Sequence, residues 1–247
     1  MKLYEFFKNV NKCALGYSGG VDSAFLLYFA LKQGVDIQPY FVRSVFTTDE
    51  ECFAAVHFAE SLGCKVVIIN ADVLASSDIK KNSSERCYFC KKLLFESVLE
   101  SAKNDGYDVV IEGTNASDDI DDRPGFRAIT ELGVVSPLKL CGITKDEIRT
   151  FLKNERIELW NRPATACLAT RIPFGTEIIE SDLFRVRECE KVLCNMGFSD
   201  FRVRLFHDAA RIQLKPAMFR DAAEKHAEIY NEFKRYFSDV FLDFKER

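Results

Sequence analysis

The residues best placed to do chemistry form one short stretch. They are Ser18, Gly19, Gly20, Val21, Asp22 and Ser23. Apolar runs at residues 13–17 and 24–31 flank them, which predicts a strand, a tight turn and a helix. Glycines let a turn bring its N–H groups close to a ligand, and a helix start adds free N–H donors and a positive dipole end. The stretch therefore predicts a seat for an anion such as pyrophosphate.

The stretch differs from the Walker A loop, G-x-x-x-x-G-K-[ST], whose lysine reaches the outer phosphates. No lysine lies in this turn, and Asp22 stands where the helix begins. A carboxylate beside a phosphate repels it unless a cation lies between them. Asp22 therefore predicts a Mg²⁺ ion held jointly with ATP.

The whole pattern S-G-G-V-D-S resembles the PP-loop of the ATP pyrophosphatase superfamily. This resemblance implies an enzyme that cuts ATP between its α and β phosphates. It also implies that AMP is left on an oxygen of the substrate, from which a nucleophile then displaces it.

Composition limits the class of protein. The 247 residues suffice for one large or two small domains, and 47% are hydrophobic, which is typical of a water-soluble protein. The net charge of −4 gives no general attraction for nucleic acid. We find no stretch of transmembrane length and no signal-peptide layout, so we expect a cytoplasmic protein without a membrane partner. Nine cysteines in that compartment favour free thiols or metal ligands over disulfides.

The elements that must position the turn alternate between strands and helices. Strands are predicted at residues 12–17, 35–42, 66–69 and 108–112, with a short fifth at Val134 and Val135. Thr48 with Glu51 and Thr144 with Glu147 form possible capping boxes for two of the helices. The alternation predicts an α/β fold with a doubly wound parallel sheet.

Ligands of such sheets bind beyond the carboxyl ends of the strands. Three predicted loops converge at that edge, after Tyr17, after Val42 and after Glu112. Candidate adenosine contacts in the second and third loops are Arg43, Ser44, Gly113, Thr114 and Asn115.

The pattern changes after Trp160-Asn161-Arg162-Pro163. A helix at residues 181–195, strands at 201–206 and 210–214 and an amphipathic helix at 216–237 predict a smaller α+β domain. We therefore assign residues 1–163 to the ATP-binding domain and residues 164–247 to a second domain.

Three cysteines stand out from the other six. Cys87 and Cys90 are three residues apart at the predicted start of a helix, beside Arg86, Lys91 and Lys92, where thiolates are favoured. A closed zinc site needs four ligands, and this C-x-x-C supplies two. Cys167 lies in a loop of small residues at the predicted domain junction, with Arg171 nearby. Buried, inert thiols remain an alternative for all three. We expect the others, Cys13, Cys52, Cys64, Cys141, Cys189 and Cys194, to belong to the core.

Cations in the second domain could hold a phosphate. Arg202 and Arg204 alternate along one predicted strand and so face the same side, and Arg211 follows on the next strand. A pair of arginines on one side suits bidentate phosphate capture, although exposed arginines are often simply solvated.

A series of motifs narrows the resemblance. In order along the chain these are S-G-G-V-D-S, R-C-Y-F-C-K, G-T-N-A-S-D-D-I-D-D-R-P-G, S-P-L, T-K-D-E-I-R, P-A-T-A-C-L-A-T-R-I-P-F-G and F-R-V-R. The chain resembles the LarE family of ATP-dependent sulfur transferases, which act in nickel-pincer nucleotide biosynthesis, over nearly its whole length. The third motif differs from the family pattern at Ser117 and Asp122.

The resemblance implies that ATP adenylylates a carboxylate of a pyridinium dicarboxylate mononucleotide and that sulfur converts it to a thiocarboxylate. In some members one cysteine gives up its sulfur and becomes dehydroalanine. Others hold a [4Fe-4S] cluster with three cysteines, and Cys87, Cys90 and Cys167 match that pattern. The implied site adds Arg171, Arg202, Arg204 and Arg211 for the substrate phosphate. The implied partners are sulfide or another sulfur donor and the nucleotide substrate; we also expect a homo-oligomer.

Other functions fit part of the pattern. A tRNA thiolase of the same superfamily would need a basic RNA-binding face, which the acidic net charge disfavours. An amidating ligase would leave the three cysteines unused. An ATP-binding sensor with a structural C-x-x-C would bind ATP without releasing pyrophosphate.

Overall fold

The computed structural model describes residues 2–119, 124–162 and 166–245. The predicted domain boundary between residues 163 and 164 and the predicted departure at Asp122 lie outside these ranges. The helices are α1 Leu3–Asn9, α2 Val21–Lys32, α3 Asp49–Ser61, α4 Ser77–Lys80, α5 Arg86–Asn104, α6 Pro124–Glu131, α7 Pro137–Leu140, α8 Lys145–Asn154, α9 Glu180–Asn195, α10 Phe219–Glu224 and α11 His226–Phe233. The strands are β1 Lys12–Gly16, β2 Asp36–Arg43, β3 Val67–Asn70, β4 Val110–Ile111, β5 Arg202–Phe206, β6 Ala209–Gln213 and β7 Asp239–Asp243.

The chain divides into two compact units. The first comprises Met1–Val73 and Ser84–Thr165, and the second comprises Leu74–Ser83 and Ala166–Arg247. Among the described residues, no helix combines the length and apolar character needed to cross a bilayer.

The first unit is built on a parallel sheet with strand order β3-β2-β1-β4. The middle residues of β1, Cys13, Ala14 and Leu15, are fully buried, as expected when helices cover both faces of a parallel sheet. One core cluster joins Leu15 to residues of α1, α2, α3 and α8, and another joins Ala14 to α5 and α6. The predicted α/β fold is thereby confirmed.

The order of the strands decides where a ligand can enter this sheet. The chain moves outward from β1 to β2 and β3 and then returns to the other side of β1 to form β4. The loops that follow β1 and β4 therefore leave in opposite directions, and a crevice opens between them. The turn that begins at Tyr17 lies at this crevice.

Two helix starts have the predicted capping boxes. Thr48 accepts a hydrogen bond from the Glu51 amide at the start of α3, and Thr144 accepts one from the Glu147 amide at the start of α8. In each case the glutamate carboxylate accepts a hydrogen bond from the backbone amide of the capping threonine, at 3.0 and 2.8 Å. At Val134 and Val135, in the described part of the chain, a single parallel bridge pairs Val135 with Ile111 in place of the predicted fifth strand. Pro137 opens α7 two residues later and ends the extended segment.

The second unit contains a smaller sheet with strand order β5-β6-β7, in which β5 and β6 form an antiparallel hairpin and β7 pairs parallel to β6. The buried residues Leu183, Val186, Cys189 and Leu193 give α9 one apolar face. The prediction of one helix over residues 216–237 is wrong. Lys225 departs from helical geometry between α10 and α11, and the His226 ring bonds to the Ala223 carbonyl at 2.8 Å. The strand β7 was missed because its pairing with β6 is a contact between distant parts of the chain.

Candidate functional site

The glycine turn joins β1 to α2 and is held closed by two serines. Gly19 has φ = +68°, a conformation that favours glycine. The Ser18 and Ser23 hydroxyls lie 3.2 Å apart, the Ser23 hydroxyl donates to the Gly20 carbonyl at 3.2 Å, and the Gly20 amide donates to the Ser18 hydroxyl at 3.3 Å. The cap residue Gly20 has no side chain to satisfy the first amides of α2. The turn thus presents a helix start suited to an anion.

Asp22 lies in the first turn of α2 with its carboxylate half-buried. It forms an ion pair with Lys145 of α8, and the Asn115 side-chain amide lies 3.4 Å from its other oxygen. Burial raises the pKa of the Asp22 carboxyl above its ordinary value. The hydrogen bond and charge of Lys145 oppose that rise in pKa, and the charge of Asp118 adds to it. A half-buried carboxylate with a single ammonium partner has capacity to accept another cation.

The loop after β4 approaches the glycine turn at Gly113. A Cβ atom built on Gly113 would lie 3.0 Å from the Ser23 amide nitrogen, so this position must remain small. The neighbouring Glu112 is buried and accepts hydrogen bonds from the Thr114 amide at 3.0 Å, from the Thr114 hydroxyl at 2.8 Å and from Ser136. These bonds fix the loop that carries Thr114 and Asn115 against the start of α2.

Arg43 and Ser44 lie at the carboxyl end of β2, as the sequence predicts. The Arg43 guanidinium forms an exposed ion pair with Asp49 at 2.6 Å. The Ser44 amide donates to the Thr47 hydroxyl at 3.0 Å, and the Thr47 hydroxyl donates to the Ser44 carbonyl at 2.8 Å. Both residues therefore occupy a structured turn at the ligand edge of the sheet.

Sequence reasoning missed three residues that surround the turn. Lys145 reaches Asp22 from the start of α8, the Arg162 guanidinium donates to the Gly19 carbonyl at 3.3 Å, and Glu112 organises the third loop. Lys145 is 123 positions from Asp22. Its only sequence signal is its place directly after the capping residue Thr144, in the motif T-K-D-E-I-R.

The C-x-x-C pair occupies the first turn of α5, as predicted. Cys87 is exposed and Cys90 is half-buried. The Arg86 guanidinium, itself buried, lies 3.6 Å from the Cys87 sulfur. Cys167 is exposed and belongs to the second unit. The described residues contain no group of three or more His, Cys, Asp or Glu side chains arranged to hold a metal ion.

The four predicted arginines of the second unit have different surroundings. Arg171 is buried and forms a bidentate pair with Glu190, at 2.7 and 3.2 Å. Arg204 donates to the Gln213 side chain at 2.6 Å and to the Thr170 carbonyl at 2.5 Å. Arg202 is buried and donates to the Phe201 carbonyl at 2.7 Å. The guanidinium of Arg171 is therefore already occupied by a carboxylate.

Arg204 and Arg211 face each other as direct partners on β5 and β6. Burial, followed by the charges of Arg171 and Arg211, lowers the pKa of Arg204 below its ordinary value. Like charges directly opposite on neighbouring strands are destabilising. Arg211 has an acidic neighbour in Asp243 at 3.5 Å, but its buried Nε atom has no hydrogen-bond partner. The pair has excess positive charge that an anion would relieve.

The sheet order and the glycine turn define an α/β protein of the Rossmann-like PP-loop type. The chain is 32% identical over 216 residues to the pyridinium-3,5-bisthiocarboxylic acid mononucleotide synthase of Lactiplantibacillus plantarum, which covers 87% of this chain and 78% of that protein. An uncharacterised protein of Methanocaldococcus jannaschii is 34% identical over 95% of this chain and 89% of its own length. One of Synechocystis is also 34% identical, over 87% of this chain and 80% of its own length. No protein-family model matches. The chain belongs to the LarE family, which confirms the resemblance inferred from the motifs.

The glycine turn gives a testable prediction about Gly19. A Cβ atom there would lie 2.5 Å from the Ala55 Cβ, whereas one on Gly34, with a similar positive φ of +72°, meets nothing within 4 Å. Gly34→Ala should lower the free energy of unfolding by about 1–2 kcal/mol, the usual cost of a left-handed alanine. Gly19→Ala should cost more and also displace α3 from the turn. Urea unfolding of both variants measures the difference, and equal losses would contradict the proposed close packing.

Proposed function

We propose that this protein is an ATP-dependent sulfur transferase that adenylylates a carboxylate of pyridinium-3,5-dicarboxylate mononucleotide and converts it to a thiocarboxylate. The observation that carries the proposal is the glycine turn at the start of α2 with Asp22 beside it, in a chain of the LarE family. The relative from Lactiplantibacillus plantarum is named for making the bisthiocarboxylic acid mononucleotide.

The first half-reaction needs a place for the pyrophosphate leaving group. A substrate carboxylate oxygen attacks the α phosphorus of ATP, the bond to the β,γ-pyrophosphate breaks, and an acyl-AMP forms. The amides at the start of α2 would stabilise the departing pyrophosphate, and the serine bonds keep the turn preorganised for it. The backbone around Thr114 and Ser44, at the ends of β4 and β2, would contact the adenosine.

The Asp22 carboxylate fits a Mg²⁺ ion. Mg²⁺ prefers oxygen ligands and binds ATP sites through one or two carboxylates together with the phosphates. Asp22 is half-buried at the helix start and is the acidic side chain of the turn itself. When bound, Mg²⁺ would neutralise charge that develops on the phosphates. Since protonation competes with metal binding, the raised pKa of Asp22 predicts that Mg²⁺ affinity falls as the pH is lowered toward that pKa.

Pyrophosphate release tests the ATP assignment. Asp22→Asn keeps the shape of the side chain but removes its charge, so it should abolish pyrophosphate release from ATP in the presence of the dicarboxylate mononucleotide. Asp221→Asn, an exposed residue in the first turn of α10, is the matched control and should release pyrophosphate at the wild-type rate. Wild-type release by Asp22→Asn would contradict the assignment.

The arginines of β5 and β6 would bind the phosphate of the nucleotide substrate. Arg204 and Arg211 face each other, and both are partly withdrawn from water, so a phosphate placed between them would be bound in a medium of reduced dielectric constant. Arg202 lies on the same side of β5 as Arg204 but is buried, so it would add positive charge behind the phosphate. Arg171, which is paired with Glu190, donates to the Thr170 hydroxyl at 3.1 Å, and Arg204 donates to the Thr170 carbonyl, so Thr170 links the two arginines.

A kinetic comparison tests this phosphate site. Arg204→Met should raise the KM for the mononucleotide about tenfold to a hundredfold, the value of a charge-assisted hydrogen bond, and leave ATP affinity unchanged. Arg220→Met, on the exposed surface of the same unit and paired with Glu224, should change neither quantity. If Arg204→Met weakens ATP binding and leaves the mononucleotide KM unchanged, the arginine belongs to a different function.

The second half-reaction replaces AMP by sulfur at the acyl carbon. AMP is a far better leaving group than oxide, which is why adenylylation must come first. The C–S bond forms as the bond between the acyl carbon and the AMP oxygen breaks. Cys87 and Cys167 expose their thiols, and the Arg86 guanidinium lies 3.6 Å from the Cys87 sulfur.

The soft thiol donors of Cys87, Cys90 and Cys167 fit a [4Fe-4S] cluster in type and number. Three thiolates leave one iron of such a cluster open to an exogenous sulfide. The two cysteines of α5 lie three residues apart on one helical turn, and both side chains are at least partly accessible. Use of the Cys167 sulfur itself, which would leave dehydroalanine at that position, is the alternative source.

Single cysteine variants separate the two sulfur sources. With a cluster, Cys87→Ala, Cys90→Ala and Cys167→Ala should each remove iron-dependent visible absorption and stop sulfur transfer. Cys194→Ala, which also removes an exposed thiol, should do neither. With a sacrificial cysteine, Cys167→Ala alone is inactive, and spent protein is lighter by one H₂S. Anaerobic reconstitution, iron analysis and intact-protein mass spectrometry distinguish these outcomes.

A further inference from the structure

The glycine turn lacks the lysine that phosphate-binding loops of the Walker type contain, but the fold brings a lysine to the same place from another segment. The Lys145 ammonium group lies against the Asp22 carboxylate at the start of α2. This contact joins residues 123 positions apart, so it depends on the tertiary fold rather than on a local motif. It suggests that the positive charge missing from the turn is supplied by α8.

The backbone of Lys145 is firmly anchored next to the turn. Its amide donates to the Ser117 hydroxyl at 3.0 Å, which ties the start of α8 to the loop after β4. The preceding residue, Thr144, caps α8 with Glu147. Only the flexible four-carbon side chain separates this fixed backbone from the ammonium group. Lys145 can therefore exchange one anionic partner for another without movement of the helix.

A second ion pair joins the same two helices and provides a comparison. At the far end of α2, Lys32 pairs with Glu155, which directly follows α8. Those side chains are 51% and 32% exposed, whereas Lys145 and Asp22 are 29% and 21% exposed. The two pairs are about 15 Å apart along α2, since Asp22 and Lys32 are ten positions apart at about 1.5 Å per residue. The Lys32–Glu155 pair therefore already links α2 to the end of α8, away from the glycine turn.

We propose that Lys145 is a phosphate-binding residue of the ATP site, held by Asp22 until ATP and Mg²⁺ bind and then transferred to the β and γ phosphates. In this exchange Asp22 and Lys145 each keep a partner of opposite charge. Mg²⁺ takes the place of the ammonium group at Asp22, and the ammonium group, with its three donors, pairs with phosphate oxygens. Neither Asp22 nor Lys145 is left as an unpaired charge in a partly buried site. This inference rests on the proposed ATP-dependent function.

The exchange also explains how the turn tolerates Asp22. Without ligand, a carboxylate beside the uncapped amides of α2 would compete with the pyrophosphate for the same positive end of the helix. The ion pair with Lys145 gives that carboxylate a partner of opposite charge. When the phosphates arrive, both members of the pair gain partners of higher charge.

Nucleotide titrations test the proposal. Lys145→Met keeps the apolar stem and removes the charge. With Mg²⁺ present and the carboxylate substrate absent, it should weaken ATP binding about tenfold to a hundredfold by isothermal titration calorimetry. AMP binding should change little, because AMP lacks the β and γ phosphates. Lys145→Arg keeps a cation and should retain most of the ATP affinity. Lys32→Met, the matched control on the second ion pair, should leave both affinities unchanged.

The outcomes separate a binding role from a structural one. If Lys145 only neutralises Asp22, Lys145→Met will keep its ATP affinity or will lose ATP and AMP affinity equally, and either result would overturn the proposal. If Lys145→Met unfolds, the same titrations are made with Lys145→Arg. A folded Lys145→Arg variant that no longer binds ATP in preference to AMP would also contradict the proposal. Wild-type protein that binds no ATP would overturn the proposed function together with this inference.

Discussion

The start of α2 is the constraint on which the candidate site depends. Its first amides have no capping side chain, because the cap residue is Gly20, and the neighbouring glycine adopts a left-handed conformation. Glycine at this position costs about a few tenths of a kcal/mol of stability relative to a residue whose side chain caps the helix. By contrast, α3 and α8 both begin with complete capping boxes. At α2 the position that a capping side chain would fill stays open, and that is the space an anion needs.

The packing around the turn requires glycine at two positions. Gly19 has a left-handed backbone, and a Cβ atom there would lie 2.5 Å from the Ala55 Cβ of α3. A Cβ atom on Gly113, in the loop after β4, would lie 3.0 Å from the Ser23 amide nitrogen. Gly20 has an ordinary extended backbone and leaves the start of α2 without a capping side chain. The Glu112 hydrogen bonds and the Ser18–Ser23 bonds then hold the two loops without any ligand. Such preorganisation lowers the entropic cost of binding.

Much of the first unit could be predicted from local sequence. The strand, glycine turn and helix around Ser18–Ser23 follow from apolar runs and glycine spacing, and both capping boxes follow from Thr and Glu three residues apart. The helix start at Arg86, which places Cys87 and Cys90 on one turn, was also predictable. These features are local, so short patterns suffice for them.

Features that depend on contacts between distant segments were not predictable. They are the pairing of Asp22 with Lys145, the hydrogen bond from Ser136 to the Glu112 carboxylate and the parallel pairing of β7 with β6. Cys194 was wrongly assigned to the core. It lies near the end of α9 on the exposed side, whereas Cys189 on the same helix is fully buried. The predicted roles of the site residues and the boundary at residue 163 stay predictions.

Burial divides the nine cysteines in a way that bears on sulfur chemistry. Desolvation raises the pKa of both Cys13 and Cys189 to about 12, so their thiols stay protonated and unreactive at neutral pH. Cys87 and Cys167 are exposed, and Cys90 is half-buried. Because thiolates are both the nucleophiles and the metal ligands, the buried cysteines cannot substitute for these three. Cys194 is also exposed but lies outside the C-x-x-C motif and the Cys167 loop. Exposure alone therefore does not identify a sulfur site, and the combination with Arg86 at a helix start is what distinguishes Cys87.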